Sequence, residues 1–207
     1  MRVISMVYLL LVAILMCDNA FASGTLEVSG GVALPTKNLD DFYSSGYSFA
    51  AGYLFDVSSH LGIGLNAAYA RVALDKSAVS RAIGPAEDAE AEGGDWSAKT
   101  LCVEIRLKTG LTGGTSIWGA VGGGLFRIGS ETRTEYAQGE VFQYTYPSQN
   151  RLGGYLGVGL DAAVSPQVGL GVELKAHLVS VDDDPRYDLI EGDRSFAAIR
   201  AVVQIRP

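Results

Sequence analysis

Few residues in this chain of 207 could take part in chemistry. There are two histidines and two cysteines. His60 follows Ser58 and Ser59 in a polar break, and His177 sits in an alternating apolar run. An imidazole activates a serine only within hydrogen-bond reach. Ser180 is three residues from His177, a spacing that puts the two on opposite faces of a strand. A His/Ser hydrolase site would therefore need a hydroxyl from another strand. The expectation for His177 is an interior ring hydrogen-bonded to a neighbouring strand. Asp182-Asp183-Asp184 offers oxygen ligands for calcium but lacks the spacing of an EF-hand loop. No Cys or His cluster has metal-ligand spacing. The sequence thus predicts no metal, no cofactor and no catalytic residue.

Ionised residues show a more regular pattern. Glu104 and Arg106 are two apart, as are Glu173 and Lys175, and Arg200 stands in a third run of the same kind. On a strand, that spacing puts each pair on one face. Buried charge is costly unless paired, so these five side chains are expected to meet in an ionic network.

The elements that carry them follow from the rest of the chain. Hydrophobic residues make up 48% and charged residues 19%, which is too apolar for a disordered chain. The formal net charge of -7 argues against a nucleic-acid binder, which needs clustered Lys and Arg. Residues 1–22 read as a cleaved secretory signal peptide. Arg2 gives a basic start, Val3 to Met16 is apolar, and Ala20-Phe21-Ala22 is a cleavage site. Its apolar core is shorter than the ~20 residues of a spanning helix. The remaining 23–207 form one domain, in which Cys102 is a lone thiol.

This domain divides into eight apolar runs: 24–34, 46–57, 61–74, 97–109, 115–129, 151–164, 168–180 and 195–206. Long and short connections alternate. Segments 35–45, 75–96, 130–150 and 181–194 are long, and 58–60, 110–114 and 165–167 are short with turn residues. Such alternation predicts an antiparallel up-and-down meander with all long loops at one end. Period-two alternation is clear in most runs. Leu170, Val172, Leu174, Ala176 and Leu178, for example, oppose Glu173, Lys175 and His177. In 115–129 glycines fall on both faces, and the reading places Trp118, Ala120, Phe126 and Ile128 on the aliphatic face with Arg127 opposite. Glu27, Asp56, Glu104, Asp161 and Glu173 all lie opposite the aliphatic face, while Arg71 and Lys99, at the long-loop end, do not.

Alternation alone leaves two orientations open. A soluble secreted barrel would hide the aliphatic face around an apolar ligand, whereas a membrane barrel would turn it to lipid. Small residues dominate the polar face, as suits the narrow inside of eight strands. A charge facing lipid at mid-bilayer would cost ~2–4 kcal/mol, which accounts for the sorting of charges. Tyr43, Tyr47, Phe55, Tyr69, Trp96, Trp118, Phe126, Tyr155 and Phe196 near run ends are read as interfacial aromatic girdles. The membrane version is the main expectation: an all-β, eight-stranded, antiparallel transmembrane β-barrel with short periplasmic turns and long extracellular loops.

Certain segments carry a family resemblance. They are Gly30-Gly31-Val32-Ala33-Leu34-Pro35, Gly46-Tyr47-Ser48-Phe49-Ala50-Ala51-Gly52-Tyr53, Leu61-Gly62-Ile63-Gly64-Leu65 and Gly153-Gly154-Tyr155-Leu156-Gly157-Val158-Gly159-Leu160. The sequence resembles the outer-membrane protein β-barrel domain family, the OmpA/OmpX-like eight-stranded barrels. That resemblance implies residence in the outer membrane of a Gram-negative bacterium. It also implies a lumen plugged by the charged residues, with a gate or narrow conductance as the alternative. The expected role is non-enzymatic: structural, adhesive or surface-interacting through acidic loops. A lipid-modifying hydrolase is the alternative, and a soluble barrel binding an apolar ligand is the third. The partners implied are outer-membrane lipids, the barrel-assembly machinery and an extracellular ligand at the loops. The protein is expected to be a monomer. Family members commonly end on an aromatic residue read during assembly, where this sequence runs Val203-Gln204-Ile205-Arg206-Pro207. Either another signal is read or the barrel is unusual.

Overall fold

A computed structural model describes residues 24–83, 90–137, 140–145, 147–179 and 194–206. The signal-peptide reading, Ser180 and the Asp182–Asp184 run lie outside the described residues. Eight long strands form the barrel. They are β1 (Gly24–Thr36), β2 (Tyr43–Asp56), β3 (Leu61–Leu74), β5 (Trp96–Gly110), β6 (Thr115–Ser130), β9 (Gln149–Ala163), β10 (Val168–Val179) and β11 (Arg194–Ile205). Each pairs antiparallel with its neighbour in sequence, and β11 returns to β1, as in Leu26 opposite Ile205. Closure leaves no strand edge, so every ladder hydrogen bond is made within the wall.

The tight turns form where the sequence breaks its alternation. Val57 and Ser58 both donate to the Leu61 carbonyl, and the Ser58 hydroxyl oxygen accepts from the amides of His60 and Leu61. Gly113 (φ 76) and Gly114 (φ 76) supply the left-handed backbone of the second turn. Both described ends of the chain lie at this turn end of the barrel, as the register of β1 against β11 shows.

At the other end two loops are structured together. A helix, α1 (Lys76–Ile83), begins at Asp75, whose Oδ1 accepts from the Ser77 hydroxyl at 2.6 Å and from the Ser77 and Ala78 amides. The Ser77 hydroxyl and the Ala78 amide hold the Asp75 carboxyl below the usual carboxylate range. The strands β4 (Glu90–Gly93), β7 (Arg133–Ala137) and β8 (Glu140–Tyr144) make a separate three-stranded sheet in the order β4-β7-β8. The alternation of the loops gave no sign of this sheet. Its first strand, Glu90–Gly93, lies in the long connection 75–96 and pairs with β7. Arg71 joins the strand ends beneath it, with Nη2 2.9 Å from Asp95 and 2.8 Å from Glu131.

The two faces of the wall separate cleanly. Leu26, Val28, Phe49, Ile63, Leu101, Val103, Ile105, Leu156, Val172, Leu174, Ile199 and Val203 all point out and are exposed. Glu27, Glu104, Asp161, Glu173, Lys175 and Arg200 point in and are buried. The interior packs large side chains at the loop end, where Trp96, Phe126, Ile128, Tyr155, Val179 and Phe196 form a hydrophobic cluster.

That cluster corrects two expectations. In β6 the phase is the reverse of the one read from sequence. Trp118, Phe126 and Ile128 face the lumen, and Ile117, Val121, Leu125 and Arg127 face out. Neighbouring glycines make the room. A Cβ at Gly159 would lie 2.3 Å from the Trp118 ring, one at Gly122 2.3 Å from Tyr155, and one at Gly153 2.8 Å from Phe126. The aromatic girdle is accordingly smaller than expected. Trp96, Trp118, Phe126, Tyr155 and Phe196 fill the interior, while Tyr47 remains outside, beside the exposed Phe49 that the girdle reading did not include.

A cation on the outward face at mid-strand should be poorly tolerated. Leu174→Lys is expected to destabilise the barrel in a bilayer by about 2–4 kcal/mol. Urea titration of lipid-reconstituted protein checks this, with the folded form followed by its faster gel migration before boiling. An unchanged midpoint would contradict the assignment of this face to lipid.

Candidate functional site

The charges that meet in one interior network come from four strands. Glu104 and Arg106 are alternate residues of β5, and Glu173 and Lys175 are alternate residues of β10. Arg200 of β11 stands directly opposite Glu173, and Glu27 of β1 stands opposite Gln204 across the closing seam. Period two therefore delivers all of them to one face, and closure brings them within contact distance.

Arg106 is the hub. Its Nη1 and Nη2 donate to the two oxygens of Glu27, each at 2.7 Å, and its Nε donates to Glu104 Oε1 at 2.7 Å. Its guanidinium carbon lies 4.0 Å from the centre of the Trp118 ring. Glu104 Oε2 accepts from Lys175 Nζ at 2.7 Å and from the Tyr155 hydroxyl. Lys175 continues to Glu173 at 3.4 Å. Glu173 Oε1 accepts from the Ser29 hydroxyl at 3.0 Å and lies 2.8 Å from Arg200 Nε. That last contact is an ion pair by distance, since the Nε–H is not aligned on the oxygen. Gln204 Nε2 donates to Glu27 at 2.9 Å. Glu27, Glu104 and Glu173 balance Arg106, Lys175 and Arg200 charge for charge.

The five residues singled out in the sequence thus lie in one chain of contacts. Glu27, Gln204, Tyr155, Ser29 and Trp118 belong to it too. Glu27 was legible as an interior acid, but its contact with Arg106 depends on barrel closure. Trp118 carried a usable signal in Gly159, the glycine directly opposite it in the ladder.

On the turn side of this network lies a polar vestibule of about 230 Å³, lined by Asp56, Lys108, Ser116, Asp161 and Arg206 among others. Lys108 and Asp56 pair at its mouth, 2.5 Å apart. On the loop side lies the aromatic cluster. His177 is there, buried, and stacked on Phe196 with centroids 4.4 Å apart and planes 5° apart. Among the described residues, neither of its ring nitrogens has a hydrogen-bond partner. The expected hydrogen bond to a neighbouring strand is replaced by ring packing, because the residues around it are Phe126, Tyr155 and Phe196. No serine is paired with His177 among the described residues. Nor does any group of three His, Cys, Asp or Glu among them converge as a metal site. Cys102 is a buried free thiol.

Breaking a buried ion pair by removing one partner typically costs ~3–5 kcal/mol. Glu104→Gln leaves Arg106 and Lys175 short of one negative charge and should lower unfolding stability by about that amount. Adding Lys175→Met to Glu104→Gln should recover part of the loss, since the excess charge is removed. Urea midpoints of the two single variants and the double variant in one detergent test this, and strictly additive losses would contradict the coupling.

The sequence matches no protein-family model and no curated protein. Solved structures are similar in backbone. Neisserial surface protein A matches with a TM-score of 0.53 at 13% identity, over 89% of this chain and 97% of that one. Ail of Yersinia pestis matches with a TM-score of 0.47 at 13% identity, over 88% and 99% of the two chains. OprG from Pseudomonas aeruginosa matches at 0.46 and 10%, over 90% and 98%. Identities this low speak to the fold alone, and of these three the first has a TM-score above one half. A closed eight-stranded meander with an aliphatic outer face and this neighbour has the fold of the OmpA/OmpX-like outer-membrane β-barrels of Gram-negative bacteria.

Proposed function

We propose that the protein is a non-enzymatic outer-membrane barrel whose lumen is sealed and whose work is done at its surface. The observation that carries this reading is the unbroken chain of contacts from Gln204 through Glu27, Arg106, Glu104, Lys175 and Glu173 to Arg200. It crosses the lumen between the aromatic cluster and the vestibule. An eight-stranded barrel is just wide enough for side chains to fill, and here charged and aromatic side chains occupy successive levels. Solute passage would require several buried ion pairs to separate together.

A sealed barrel leaves its ends and outer wall for function. The long-loop end carries acidic segments and the sheet of β4, β7 and β8, in which Arg133 pairs with Glu135 at 2.6 Å and lies over the Tyr144 ring. Tyr136, Val141 and Phe142 of this sheet are exposed. A rigid wall presenting a small structured platform suits a structural, adhesive or surface-interaction role. Neisserial surface protein A, as its name states, is a surface protein, which accords with this reading. Outer-membrane lipids surround the wall, and insertion would use the barrel-assembly machinery.

Reconstitution in planar bilayers tests the sealed lumen. The wild-type protein should show no stepwise conductance, while Glu104→Ala combined with Arg106→Ala should produce small openings. Regular wild-type channels would contradict the proposal and favour a gated pore.

A further inference from the structure

One lateral row of the outer wall breaks the rule that charges turn inward. Ladder partners place Phe49, Tyr69, Lys99, Arg127 and Asn150 side by side on β2, β3, β5, β6 and β9. Lys99 and Arg127 are directly opposite one another and both are exposed on the outward face. Like charges in that position repel. No acid pairs with either among the described residues. The nearby acids Asp95 and Glu131 are held by Arg71. The next outward pair towards the middle of the wall is Leu101 opposite Leu125, followed by Val103 opposite Gly123 and Ile105 opposite Val121. The two cations therefore sit one pleat above an aliphatic surface, at the level where hydrocarbon gives way to head groups.

We propose that Lys99 and Arg127 bind the phosphate of an anionic membrane lipid, a reading that rests on the outer-membrane placement above. A phosphate between the two cations turns their repulsion into two charge-assisted hydrogen-bonding contacts. The guanidinium can engage two phosphate oxygens at once, and the ammonium acts as a point charge. The leucines directly beneath receive the acyl chains, so a lipid gains contacts here that a free anion does not. Tyr69, on the flank of the row, has the amphipathic ring that suits this depth.

The test uses the full barrel reconstituted in phosphatidylcholine vesicles doped with phosphatidic acid, with retained lipid measured after extraction into mild detergent. Wild-type protein should retain phosphatidic acid in preference to phosphatidylcholine. Lys99→Gln with Arg127→Gln should lose about fivefold of that preference per cation. The charge-keeping exchange Lys99→Arg with Arg127→Lys should retain most of it. Insertion is followed in parallel by gel mobility before and after boiling. No preference in inserted wild-type protein, no loss in the Gln pair, or displacement of the lipid by millimolar inorganic phosphate overturns the site alone. Failure of wild-type protein to insert would overturn the membrane placement as well.

Discussion

A charge removed from water needs a counter-charge close by, and in this barrel that requirement acts on both faces of the same eight strands. Facing hydrocarbon, no partner is available, so mid-strand positions there are aliphatic. Facing the lumen, partners come from opposite walls, so Glu27 meets Arg106 and Glu104 meets Lys175 across the interior. Each contact joins strands far apart in sequence and nearly fixes the angle at which the wall must curve. Coulomb attraction is strong in such an environment, and so is the penalty for misplacing a member. The interior charges are therefore both a filling and a constraint on closure.

This constraint also explains what the sequence could reveal. Alternation in β10 and β5 showed which residues share the lumen, because in both strands charged and aliphatic residues trade places without exception over the central stretch. The turns at 58–60 and 165–167 were visible because polar residues interrupt that alternation. In β6 the same reasoning failed. Turning Arg127 inward, in line with the other charges, required Trp118 and Phe126 to face out. In the structure Arg127 belongs with Arg71 and Lys99 at the loop end, where a long side chain can leave hydrocarbon. Freed of that assignment, the aromatics of β6 fill space left by Gly159 and Gly153 on the next strand. Such complementarity between a large residue and a glycine across the ladder is written in pairs, so a single strand read alone does not show it.

His177 teaches a related lesson. A histidine on a charged face suggested a polar partner, yet its neighbours are the rings of Phe196, Phe126 and Tyr155. The lumen is layered, with polar chemistry at the middle and the turn end and aromatic packing near the loops. Period-two reading separates inside from outside but does not resolve height along the barrel axis. The loop sheet was hidden for another reason: β4 and β7 come from different loops, so no pattern within one loop marks their pairing.

The aliphatic face of the wall meets hydrocarbon, and nitroxide accessibility along β10 reads this out. In a Cys102→Ala background, single labels at Val172 and Leu174 of lipid-reconstituted protein should collide readily with oxygen dissolved in hydrocarbon and scarcely with a water-soluble nickel complex. A label at Val168, near the turn, should show more of the aqueous collision. Free access of the nickel complex to positions 172 and 174, with oxygen collision no higher than at 168, would mean that this face does not meet lipid.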